Sequence, residues 1–110
     1  MDPNNRSEKR APVRWRGRVL VAADKFHETR IVDISSAGFG ACLSSALKVN
    51  ESYLWAIACP GPSGKEHIVM GHARVMHVFM SGNEYRIGAL WLQIDPAERE
   101  ALVKGARHQT

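Results

Sequence analysis

The residues best equipped for chemistry fall into two groups. Arg6 and Arg10 stand four apart in Arg6-Ser-Glu-Lys-Arg10, and Asp33, Ser35 and Gly38 stand together in Asp33-Ile-Ser-Ser-Ala-Gly38. A guanidinium is a planar fork that bonds phosphate in pairs, contacts guanine O6 and N7, and stacks on a base. Guanine's other edge offers N–H donors and needs acceptors, which an aspartate and a serine hydroxyl supply. Gly38 can take φ > 0 or let a ligand approach the backbone. Two arginines and an Asp/Ser turn thus make two halves of a guanine-nucleotide site. Each half alone is a weak signal. Arg10–Arg14 and Arg14–Arg18 repeat the arginine spacing, and a strand-turn-strand commonly bonds its polar side chains to its own backbone.

The charge distribution favours an anionic ligand. The net charge is +4, and residues 1–18 carry six basic against two acidic residues while the remainder is balanced at nine against nine. Catalysis finds little support. His67, His72 and His77 are five apart, which alternates their faces on a strand, and no cysteine pair has zinc-ligand spacing. No histidine is placed to complete a triad with Asp33 and Ser35, and neither a phosphate-binding loop motif nor a nucleophile-elbow motif occurs. No enzyme, cofactor or metal site is expected.

These groups must be held by the elements around them. Residues 1–13 contain two prolines, Asn-Asn and mostly charged residues, and read as a flexible basic arm. From Arg14, apolar Trp15, Val19 and Val21 alternate with basic residues, predicting a strand with one apolar and one basic face. Further strands are expected at about 27–34, 39–43, 53–58, 66–80 and 84–94, with a bulge near Gly71. Asp95-Pro-Ala-Glu98 supplies a helix cap, a first-turn proline and an acid, and Gly105 a stop. Six strands joined by turns, then one short helix, predict a small all-β antiparallel barrel or sandwich over 14–106 as a single domain. Cys42 and Cys59 read as reduced core residues, and Trp15, Trp55 and Trp91 as core. No apolar run approaches the roughly 20 residues of a membrane helix, and the start lacks a secretion signal, so a cytoplasmic protein is expected.

The two motifs at this separation are more specific than either alone. Arg6-x-x-x-Arg10 followed by Asp33-x-Ser35-x-x-Gly38 resembles the signature of the PilZ domain, an R-x-x-x-R and then a [DN]-x-S-x-x-G. Ala73-Arg-Val-Met and Tyr85-Arg-Ile-Gly-Ala-Leu-Trp91 resemble that family's late strands. The resemblance implies a six-stranded antiparallel β-barrel with a C-terminal helix, acting in bacteria as a cyclic di-GMP receptor. It implies ligand-binding roles for Arg6, Arg10, Asp33, Ser35 and Gly38. Lys9 and His77 are weaker candidates for the site wall. Many members carry a further arginine just before the first motif, where this chain has Asn5, so whether the ligand binds as a monomer or an intercalated dimer stays open. Cyclic di-GMP and a downstream protein are the expected partners, with no membrane. The alternatives are a PilZ-like protein-interaction module independent of nucleotide and a small nucleic-acid-binding barrel.

Overall fold

A computed structural model describes residues 9–61 and 63–107. Six strands, β1 (Ala11–Ala22), β2 (Lys25–Ile34), β3 (Gly38–Leu43), β4 (Ser52–Pro60), β5 (Glu66–Ser81) and β6 (Glu84–Ile94), precede one helix, α1 (Pro96–Arg107). The strands close into an antiparallel barrel in the order β1-β2-β3-β6-β5-β4, the one of the two expected architectures that the PilZ resemblance implied. Closure leaves no sheet edge open.

Period-two alternation builds the wall. In β1, Val13, Trp15 and Val19 are buried while Arg14, Arg16 and Arg18 face water. β3 is buried along its whole length. Phe39, Ala41 and Leu43 are fully or almost fully buried in the core, whereas Gly40, on the opposite face, lies beneath the Asp33 side chain. Phe39 stands at the centre of the interior, with ring centroids 4.8 Å from Trp55 and 4.9 Å from Trp91. All three tryptophans are buried, and Cys42 and Cys59 are buried free thiols. Burial pushes the Cys59 thiol above its ordinary pKa.

Two sequence expectations need correction. β1 begins at Ala11, three residues before the alternation that starts at Arg14, because Ala11 and Pro12 already stand opposite Ile34 and Asp33. Pro12 lacks an N–H but sits where the register shifts, so no regular ladder bond is lost. The bulge expected near Gly71 is present, as a β5–β6 register shift between His72 and Ala73, and a second shift falls between Val75 and His77. Gly105 does not stop the helix, which runs on to Arg107. A Cβ at Gly105 would lie 3.4 Å from the Trp15 ring, so the glycine marks close helix-barrel packing.

The helix caps as its sequence predicts. Asp95 Oδ1 accepts from the Ala97 N–H at 2.8 Å, and the Glu98 and Arg99 N–H groups donate to the Asp95 carbonyl. Leu102 and Ala106 are buried against the barrel end. Burying Leu102 contributes about 1.5–3 kcal/mol, more than an exposed ion pair does. Glu98 also reaches His67 on β5, with Nε2 at 3.0 and 3.1 Å from its two oxygens. The helix is thereby held against β4 and β5, with its C-terminal turn beside the start of β1 and the β2–β3 turn.

Candidate ligand-binding site

The β2–β3 turn is closed by its own atoms. The Ser35 N–H donates to the Gly38 carbonyl at 2.9 Å, and the Gly38 N–H donates to Ser35 Oγ at 3.2 Å. Ser35 is 5% exposed, so its hydroxyl serves mainly to shape the turn. The Trp91 N–H donates to the Ala37 carbonyl at 2.9 Å, tying the turn to β6. Gly38 is needed for a reason the sequence did not disclose. It does not have positive φ, but a Cβ there would lie 1.9 Å from the Ala89 carbonyl oxygen. The backbone that approaches Gly38 is β6.

Asp33 is what this turn and its strand present. The β2–β3 register shifts between Ile31 and Asp33, and the carboxylate leans over Gly40, where an added Cβ would be 2.8 Å from Oδ2. Its side chain is 14% exposed and is gripped from two directions. Arg10 Nη1 donates to Oδ1 at 2.6 Å, and Arg86 Nη2 donates to Oδ2 at 3.2 Å. Arg10 immediately precedes β1, whose Pro12 pairs with Asp33. The β1–β2 pairing therefore also delivers the second arginine of the first motif to the acid of the second. Their two guanidinium groups against one carboxylate leave a net positive cluster.

Beside it, a cavity of about 390 Å³ opens between the start of β1, the turn and the last turn of α1. Lys9, Arg10 and Arg107 are among its lining residues, with Ser35, Ser36 and Val103, and among the described residues no acidic side chain contributes. Lys9 thus falls with Arg10 and Ser35, as its motif position suggested. His77 lies elsewhere in the same row of residues. Asp33 pairs with Gly40, Gly40 with Gly88, and Gly88 with His77. The exposed imidazole covers Gly88 and stacks on Phe79 with centroids 5.9 Å apart. Arg6 lies outside the described residues.

Sequence reasoning missed Arg86 and Arg107 as members of this region. Arg86 carried a signal, since it falls inside the quoted 85–91 stretch, but its distance of 53 residues from Asp33 hid the contact. Arg107 carried none. Three other outward arginines are paired: Arg16 with Glu66, Arg18 with Glu28, and Arg30 with Glu84. The hydrogen bond from Arg30 holds the half-buried Glu84 carboxyl below its ordinary pKa.

The closed six-stranded barrel with its capping C-terminal helix is the fold of PilZ domains. Solved structures that this chain resembles include the inhibitor of motility MotI/DgrA of Bacillus subtilis, at a TM-score of 0.80 and 15% identity, covering 93% of this chain and 49% of that one. The PilZ domain of YcgR from Escherichia coli with c-di-GMP matches at 0.68 and 17% identity, over 92% of this chain and 91% of that one. YcgR in complex with c-di-GMP matches at 0.69 and 18% identity, over 88% of this chain and 42% of that one. The chain therefore spans about half the length of MotI/DgrA and less than half of that YcgR chain. No family model and no curated protein matches the sequence. No helix among the described residues is long and apolar enough to cross a membrane.

Proposed function

We propose that this chain is a bacterial cytoplasmic receptor for cyclic di-GMP, binding it between the Arg6–Arg10 segment and the Asp33–Gly38 turn without catalysing a reaction. The observation that carries this reading is the 2.6 Å pair between Arg10 and Asp33, which joins the two motifs in space. In the proposed complex Arg6 and Arg10 take guanine and phosphate, and Asp33 accepts from a guanine edge. Ser35 and Gly38 hold the turn that presents it. Lys9 and His77 stand as weaker contributors to the wall. The all-cationic charge of the neighbouring cavity supports a dianionic ligand. Engagement of the Arg6–Arg10 segment by the ligand would change the surface offered to a protein partner.

Isothermal titration of the protein with cyclic di-GMP tests this, with binding expected at micromolar concentration or tighter. Absence of heat at millimolar ligand overturns it. The nucleic-acid alternative draws less support from β1 and β2, where Arg16, Arg18 and Arg30 are each paired with a glutamate. An oligonucleotide would need many phosphate contacts and show a steep salt slope, whereas a ligand with two phosphates shows a shallow one.

A further inference from the structure

We propose that Arg86 is a positioning residue that sets how Asp33 presents its carboxylate to guanine, an inference that rests on the receptor reading above. Asp33 lies at a register shift in β2, so regular strand geometry does not by itself aim its side chain. The terminal torsion of an aspartate is broad, and a carboxylate with no fixed partner samples many orientations. Two donors remove that freedom here, and they differ in how they are held. Arg10 precedes the first paired residue of β1. Arg86 lies within β6, paired with Cys42 on one side and Phe79 on the other.

The edge of guanine that presents N1–H and the 2-amino group is itself a guanidine-like pair of donors. Arg10 Nη1, at 2.6 Å from Oδ1, thus occupies the place such an edge would take. A ligand that draws Arg10 to its phosphate or to O6 and N7 exchanges one donor on Oδ1 for another. Arg86 stays on Oδ2 throughout, fixing the plane in which Oδ1 accepts. Nearby Arg30 cannot substitute for it, being held by both oxygens of Glu84 at 3.0 and 3.1 Å. Gly40 completes the arrangement by leaving room for the carboxylate to lie down between the strands. Arg86 therefore strengthens guanine recognition without touching the ligand.

A coupling experiment separates this role from direct contact and from a structural brace. Cyclic di-GMP affinity is measured by titration calorimetry, and melting temperature by scanning calorimetry, for four proteins: wild type, Arg86→Ala, Asp33→Asn and the double variant. Arg86→Ala should weaken binding about tenfold or more, the loss expected when a charge-assisted hydrogen bond no longer orders its acceptor. Its melting temperature should stay near wild type, because Arg86 is 40% exposed at the side chain. In the Asp33→Asn background, which keeps the shape and an acceptor oxygen but loses the charge, Arg86→Ala should cost much less. Arg86→Lys, retaining the charge but not the fork, should fall between, and it replaces Arg86→Ala in the cycle if that variant does not fold. An equal loss in both backgrounds means that Arg86 meets the ligand directly and overturns the proposal, as does unchanged affinity. A wild type that binds no cyclic di-GMP overturns the receptor reading itself.

Discussion

Asp33→Ala removes the acceptor shared by Arg10 and Arg86, and its effects on folding and on ligand binding should separate cleanly. The carboxylate is 14% exposed, but its partners are 48% and 40% exposed, so both guanidinium groups can be solvated where they stand. Neither becomes a buried unpaired charge, and the stability loss should stay within about 1 kcal/mol, the range of partly exposed pairs. That corresponds to a melting shift of about 4–8 °C at most for a chain of this size. Ligand binding is affected differently, because a guanine edge would enter the site with its donors facing a methyl group. Losing a charge-assisted contact costs about 1.5–3 kcal/mol, or roughly 10- to 150-fold in Kd. Paired titration calorimetry with cyclic di-GMP and thermal melting measure both quantities on one preparation. A variant that binds as tightly as wild type and melts with it refutes the assignment of Asp33 to the ligand. A variant that unfolds refutes the reasoning about solvated partners.

Gly38→Ala should destabilise the barrel by about 1–3 kcal/mol or more, visible as a lower urea midpoint, because its Cβ would stand 1.9 Å from the Ala89 carbonyl oxygen and the backbone of β3 or β6 must move. Gly105→Ala should instead raise the melting temperature. Its Cβ meets Trp15 and Pro60 no closer than 3.4 Å, and alanine gains up to about 1 kcal/mol of helix propensity. Arg30 holds the folded-state pKa of Glu84 below its ordinary 4.5, so the pair's contribution is full above that value and is lost as pH falls through the lowered folded value. Arg30→Gln should therefore reduce the loss of stability seen on acidification below about pH 4.5 in urea titrations, with the two proteins converging in strong acid.

The strands and the helix could be read from local pattern because their causes are local. Alternation in 14–21, the breakers around 59–64 and the Asp95-Pro-Ala-Glu98 cap each act within a few residues. So does the Ser35–Gly38 turn, whose hydrogen bonds span three residues. The motifs likewise single out Arg10, Asp33, Ser35 and Gly38, because residue type and spacing are properties of the chain. Arg6 lies outside the described residues, and its role rests on the motif alone.

Tertiary structure decided what each of those residues meets. Gly38 offered two readings in the sequence, positive φ or close approach of a ligand. Closure of the barrel instead brings the Ala89 carbonyl against it, a contact between residues about fifty positions apart. Asp33 promised an acceptor, but its two donors lie 23 residues before it and 53 after it, and only strand order brings them together. Side-chain chemistry is inherited from the sequence one residue at a time, whereas the orientation of a carboxylate depends on which strands become neighbours. The Arg6–Arg10 and Asp33–Gly38 motifs thus identified the materials of a site. The register of β1, β2, β3 and β6 set Arg10 and Arg86 on opposite oxygens of Asp33.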